Sequence, residues 1–279
     1  MQLKEFLKDK YILITGATDG IGKRLALRLA KSGYNLILHG KNPKKLEEVI
    51  NSINQSHIKL HKLVADFSDL KETYDAFSKI VSFKIYALIN NAATFSHKLT
   101  TTKDGFEITY QVNYLAHFLI THILLKNLIN SEEAKIINVA SMAHSNSINL
   151  TDLKKNNFPT GFEAYSLSKL CNILFTFKLH NYFMENDIKN VSANCLHPGV
   201  LNTKLLVNNW GPIGSDPENG AKMIEYVLNQ PINVSGKYFS DFSESKASNI
   251  AYDKDIQNKL YNITCKQIEK AGLTIEKIQ

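Results

Sequence analysis

The chain has 279 residues, 44% of them hydrophobic and 21% charged, ample for a real core in one large α/β domain or two ordinary ones. The net charge of +7 raises nucleic acid, a membrane surface or an anionic cofactor as partners, but the lysines are scattered with no basic run, so no nucleic-acid binder is expected. The opening "MQLKEFLKDKYILITG" has no signal-peptide layout, and no long uninterrupted apolar stretch occurs, so no transmembrane anchor is expected.

The three cysteines, Cys171, Cys195 and Cys265, are far apart and outside any metal-ligand spacing. They fit a reducing, cytoplasmic setting and provide no metal site. Without repeats, low-complexity tracts or a Pro/Gly linker, residues 1–279 read as a single domain.

In chain order, "KYILIT" is a short β-rich run, followed by a glycine-bearing turn and the amphipathic helix "IGKRLALRLAKSG", which Gly33 ends. "NLILHG" is a second strand, and Asn42 with Pro43 provides the cap and first turn for the helix "KKLEEVINSI". "KLHKLVAD" is a third strand, "SDLKETYDAFSKIV" a helix opened by a Ser or Asp cap, and "IYALINNA" a fourth strand. A long helix from about Asp104 to Asn130, whose segment "VNYLAHFLITHILL" carries Asn and two His, suits burial or a subunit contact better than lipid. The strand "KIINVAS", a long connection, the helix carrying Tyr165, the strand "VSANCLHPG", a helix near 217–229, the strand "GKYFSD" and a last helix complete the pattern. Strands alternating with long helices predict an α/β doubly wound, Rossmann-type parallel sheet with helices on both faces and ligands at the strands' carboxyl ends.

The turn "TGATDGIG", Thr15 to Gly22, lies between the first strand and first helix. Gly16, Gly20 and Gly22 let the backbone approach a pyrophosphate, which then meets the N–H groups of a helix N-terminus. An NAD site usually has a carboxylate at the end of the second strand, where this chain reads His39, Gly40, Lys41, Asn42. Lys41 would attract a 2′-phosphate instead, so NADP(H) is favoured over NAD(H).

In "GFEAYSLSKLCN", Tyr165 and Lys169 stand four apart, one turn of a helix, and can act on a common neighbour. A tyrosine with a pKa of about 10 is too weak a base at neutral pH. An ammonium about 4 Å away is worth roughly 4 kcal/mol at an effective dielectric near 20, enough to pull that pKa toward neutrality.

Together "TGATDGIG", "NNAA", Asn113 in "YQVNYLAHFL", Ser141 in "NVASMAHS", "YSLSK" and "HPG" resemble the short-chain dehydrogenase/reductase family over nearly the whole chain. Within it, "AYSLSKLCNILFTFKL" and "SGKYFSD" resemble the retinol dehydrogenase and WW-domain oxidoreductase branch. Ala93 and Ala140 depart from the family's usual glycine and serine, and neither removes a reacting group. The resemblance implies a catalytic set of Tyr165 as general acid/base, Lys169 on the nicotinamide ribose, Ser141 on the carbonyl oxygen and Asn113 helping to hold a relay water. It implies cofactor contacts from Gly16, Thr18, Asp19, Gly20 and Ile21 in the turn, and from Lys41 and Asp66 near the adenosine. Asn91, Ala92, Tyr165, Lys169, Pro198 and Gly199 would line the rest of the cofactor.

Asp66 has a helix cap as its alternative reading. His144 is expected to line the pocket or structure its loop, and His197 to stabilise backbone. The segment 200–217, with Leu201, Leu205, Leu206, Val207 and Trp210 but only one charge before Asp216, Lys204, is expected to be an apolar lid over a hydrophobic carbonyl or alcohol substrate. Helices apolar on more than one face, 104–130 and 163–185, suggest a homodimer. The resulting reading is a carbonyl reductase or alcohol dehydrogenase, with a catalytically silent NADP(H)-binding sensor or scaffold as the alternative.

Overall fold

The computed structural model describes residues 9–278; the expectation that no leader precedes the first strand falls largely on residues 1–8, outside the described residues. The alternating pattern becomes strands β1 (Lys10–Ile14), β2 (Asn35–Gly40), β3 (Leu60–Val64), β4 (Lys84–Asn90), β5 (Ala134–Val139), β6 (Val191–Leu196), β7 (Tyr238–Ser240) and β8 (Ser243–Ser245). They form one sheet in the order β3-β2-β1-β4-β5-β6-β7-β8. β8 alone runs antiparallel, to β7. The doubly wound fold expected from the sequence is therefore present.

The helices are α1 (Gly20–Lys31), α2 (Pro43–Ser52), α3 (Leu70–Ser78), α4 (Ile108–Ile129), α5 (Leu150–Lys155), α6 (Gly161–Glu185), α7 (Lys204–Trp210), α8 (Pro217–Leu228) and α9 (Lys254–Lys270). Alternation along the strands divides the core. Ile12, Ile14, Leu36 and Leu38 pack with α1, α2 and α8, while Tyr11, Leu13 and Ile37 belong to the cluster shared with α3, α4, α6 and α9.

The starts of the helices follow their caps. Asn42 Oδ1 accepts from the N–H groups of Lys44 and Lys45, with Pro43 as the first helical residue. Asp69 accepts from Glu72 N–H at 3.0 Å to open α3, so the cap considered for Asp66 belongs to Asp69. The helix expected from Asp104 starts at Ile108. Thr101 and Glu107 first close a small bridge, and the Glu107 carboxylate then accepts from Tyr110 N–H at 2.8 Å.

The sequence reading missed α5, α7 and β8, each seven residues or shorter and too brief to show a period. It also missed the π turn at Gln111–Leu115, because one extra residue per turn leaves no compositional trace.

α4 is, among the described residues, the one helix with the length and composition of a membrane span, and most of it is buried. Its outer face and that of α6 are covered by α9. Tyr110 bonds Gln267 at 2.9 Å, Tyr114 bonds Thr264 at 2.9 Å and His122 bonds Tyr261 at 3.0 Å. Residues 168–179 of α6 are buried without a break. The all-round apolarity read as a subunit contact is thus satisfied within the chain, a correction to the surface on which a dimer was expected.

Candidate active site

Strand order reverses between β1 and β4, and the crevice of a doubly wound sheet lies outside the carboxyl ends at that point. Two adjoining cavities open there. One of about 340 Å³ follows the glycine turn to His39, Lys41 and Asp66; the other, about 330 Å³, holds Ser141, Tyr165 and Lys169. A larger cavity of about 850 Å³ is lined by Lys10, Lys84 and Lys126, on other parts of their elements, and contains none of the expected site residues.

The turn is built by close approach. Gly16 and Gly20 have φ of +68° and +52°, in the left-handed region that favours glycine. A Cβ on Gly22 would lie 2.2 Å from Gly16 O and 2.7 Å from Asn91 Nδ2. Thr15 Oγ1 accepts from the N–H groups of both Asn91 and Ala92 at 2.9 Å, and Asn91 Nδ2 returns a bond to Thr15 O at 2.8 Å. The end of β4 is therefore locked to the turn.

His39 joins the turn to the end of β3. Its Nδ1 accepts from Gly16 N–H at 3.3 Å, which puts the proton on Nε2, donating to Ala65 O at 3.0 Å. The ring stacks on Phe67 at 4.2 Å, and burial takes its pKa down to about 4, so it is neutral at physiological pH. Gly40 is needed beside it, since a Cβ there would meet the Thr18 methyl at 2.4 Å.

Lys41 and Asp66, both expected near the adenosine, face each other at 3.7 Å. Burial works to raise the Asp66 carboxyl, but hydrogen bonds from the Ser68 N–H and hydroxyl, then Lys41, hold it below the ordinary carboxylate range. Asp19 caps α1 through Gly20 N–H at 2.8 Å and pairs with Lys204 at 2.5 Å.

In the second cavity, Ser141 Oγ accepts from Ala143 N–H at 3.1 Å and lines the same wall as the Tyr165 phenol. Tyr165 and Lys169 share a face of α6, as their spacing predicts. Lys169 Nζ donates to Val139 O at 2.9 Å and lies 5.7 Å from the Tyr165 ring centroid. Burial lowers the Lys169 ammonium to about 8 and raises the Tyr165 phenol, with the polar Ser141 hydroxyl opposing the latter. The shift is opposite to the lowering expected from the Lys169 ammonium, because desolvation of the phenol is the largest effect on it.

Asn113 lies in the π turn of α4. Its Oδ1 accepts from Thr94 N–H at 2.8 Å, and its Nδ2 donates to Thr94 O at 3.0 Å and Ser168 Oγ at 3.1 Å. Its carbonyl accepts from Asn172 Nδ2 at 2.9 Å and is also bonded to His117 at 2.9 Å. Asn113 thereby joins the β4 loop, α4 and α6.

His144 donates from Nδ1 to Ser141 O and accepts from Ser248 N–H at 3.0 Å, a loop-structuring role as expected. His197 N–H donates to Phe239 O at 2.8 Å, and its ring lines the cavity with a pKa lowered by burial to about 4. Pro198 and Gly199 line the same wall, Gly199 with φ of +104°.

The segment 200–217 rises from a stem in which Leu201 bridges Ser215. Above it α7 places Leu205, Leu206 and Trp210 over the cavity. Trp210 packs on Phe95 at 4.7 Å, and Phe95 meets the Tyr165 ring edge-on at 5.5 Å. Met142, Phe162 and Trp210, exposed by 63%, 50% and 38%, give the mouth an apolar rim.

Sequence reasoning assigned no part in this site to Phe95 or Gly40, and treated His39 only as a non-carboxylate. A glycine closing a buried strand was a usable sign of close approach. Nothing local marked Phe95.

A short chain dehydrogenase family model matches residues 10–211. Retinol dehydrogenase 13 of Mus musculus is 34% identical, over 92% of this chain and 83% of its own. Polyprenol dehydrogenase of Homo sapiens is 29% identical, over 96% of this chain and 87% of its own. A solved structure of an uncharacterised Mycobacterium Paratuberculosis protein superposes with a TM-score of 0.81 at 24% identity, covering 97% of this chain and 96% of that one.

Proposed function

Because the chain belongs to the short-chain dehydrogenase/reductase family, we propose that it is an NADP(H)-dependent oxidoreductase interconverting a hydrophobic aldehyde or ketone and its alcohol. The observation that carries this reading is the convergence of Ser141, Tyr165 and Lys169 on one cavity adjoining the glycine turn.

The residues present fit a dinucleotide. The turn exposes backbone at Gly16 and Gly20 beside the N-terminus of α1, and Lys41 offers the cation that a 2′-phosphate needs. Gly16, Thr18, Asp19, Gly20 and Ile21 would hold the pyrophosphate, Asp66 the adenine, and Asn91, Ala92, Pro198 and Gly199 the nicotinamide half. When bound, the nicotinamide supplies or takes up the two electrons as hydride.

The chain's own residues supply the rest. Ser141 donates to the carbonyl oxygen as negative charge develops there. The Tyr165 phenol, protonated at neutral pH by its ordinary acidity and held more firmly so by burial, is suited to deliver the proton in the direction of reduction. Lys169 would hold the ribose hydroxyls, and Asn113, packed against α6 at the π turn, would help to hold a relay water behind it. A silent sensor would have no use for a serine and a lysine gathered in one cavity with that phenol.

Lys41→Asp sets a second carboxylate beside Asp66, so NADPH affinity should fall about tenfold or more, the scale of a lost charge-assisted contact, with NADH affinity kept. Equal wild-type affinity for both cofactors in a titration would refute the preference.

The apolar rim and lid support a hydrophobic substrate, and the two relatives are named for retinol and polyprenol. Each added methylene is worth up to roughly 0.8 kcal/mol, about fourfold in kcat/KM. In an aldehyde series with NADPH, kcat/KM should climb from short to medium chains; a flat profile would rule out an apolar lid. We further infer a single domain and a cytoplasmic location, which the three unpaired buried cysteines support. A homodimer would have to use a surface other than that beneath α9.

A further inference from the structure

This inference rests on the dinucleotide reading above. We propose that Lys204 is the latch coupling the lid to the cofactor: its ammonium, held on Asp19, transfers to the pyrophosphate as that group arrives, fastening α7 and Trp210 in their place over the second cavity.

The geometry of the turn creates the need. Asp19 is a good cap for α1, but its carboxylate occupies the helix N-terminus where a pyrophosphate would bind, and two anions repel there. Lys204 is bonded to Asp19 Oδ2, the oxygen that does not cap the helix. On α1 itself, Arg24 donates to Gly20 O at 3.2 Å and faces Asp216 at 3.5 Å, and Lys45 acts on Asp19 only at longer range. Lys204 is the only charged residue from Val200 to Ser215.

The segment is hinged for such a transfer. Asn202 N–H donates to Ser215 O at 2.8 Å, and its side chain accepts from Gly214 N–H at 2.8 Å and donates to Gly214 O at 2.6 Å. These bonds fix the stem and confine movement to Thr203–Ile213. Thr203 already faces the turn, its methyl 3.3 Å from where a Gly20 Cβ would stand. Thr203 and Leu205 line both cavities, so a shift at Lys204 is carried along α7 to Trp210.

Trp210 is the single tryptophan, so its emission reports the lid directly. With the full chain, NADP⁺ should change that emission saturably and protect Leu205–Trp210 from chymotrypsin. Lys204→Gln should bind NADP⁺ about tenfold more weakly and lose most of that protection even at saturation. Its affinity for 2′-AMP, which has no pyrophosphate, should stay unchanged. Lys204→Arg should restore both readouts, and Lys222→Gln, on the exposed face of α8, should match the wild type. Wild-type NADP⁺ affinity and protection in Lys204→Gln would overturn the latch alone. Equal weakening for 2′-AMP would overturn it by showing a general charge effect. Failure of the wild type to bind NADP⁺ would overturn both the latch and the dinucleotide reading.

Discussion

Tyr165→Phe is expected to lower turnover at least about a hundredfold while leaving NADP(H) affinity within about twofold, the usual scale of a lost acid/base group. The substitution keeps the ring, its edge-on contact with Phe95 at 5.5 Å and its place beside Lys169. It removes the hydroxyl that shares the cavity with Ser141, the one group at this position that can exchange a proton with a substrate oxygen. Steady-state rates and a cofactor titration on the same preparation separate the two effects. A variant retaining more than half of wild-type activity would show that the proton comes from elsewhere.

Gly22→Ala is expected to be the most disruptive single methyl in the cofactor site. The new Cβ would stand 2.2 Å from Gly16 O, a backbone atom that can move only with the whole turn. Gly16 is tied down on both sides, its N–H donating to His39 Nδ1 at 3.3 Å and its carbonyl accepting from Asn91 Nδ2 at 3.4 Å. Overpacking typically costs about 1–3 kcal/mol, and contact with fixed backbone belongs at the upper end, a Tm decrease of roughly 6–12 °C for a chain of this size. NADP⁺ binding should be lost with it, since the turn that meets the pyrophosphate is what must deform. Thermal melting and a binding titration test this; an unchanged Tm would mean that α1 slides along the sheet without cost.

What was legible in the sequence had a period or a cap. The parallel strands, the glycine turn, the Asn42 and Asp69 caps and the one-turn spacing of Tyr165 and Lys169 all follow from local rules and all appear in the structure. What was not legible depends on distant residues meeting. His39 gains its role from Gly16 and Ala65, and Phe95 from Trp210 and Tyr165. The direction of the Tyr165 shift was misjudged because a Coulomb estimate from spacing alone contains no desolvation, and burial is a property of the whole fold. The supposed subunit face was misread for the same reason, since covering α4 and α6 is the work of a helix that comes more than 65 residues after both have begun.

That last packing makes the chain vulnerable while it is being made. Synthesis delivers α4 and α6 to solvent long before α9 exists, and domains generally form from the N-terminal side first. Until residues 254–278 emerge, Tyr110, Tyr114 and His122 lack the partners that satisfy their hydroxyl and ring nitrogen atoms, and Phe118 lacks its contact with Tyr261. The nascent polypeptide therefore presents a broad sticky surface on the ribosome, one that chaperones would bind and that premature termination within α9 would leave permanently uncovered. Aggregation, rather than a loss confined to chemistry, is the fate this arrangement dictates for a chain shortened there.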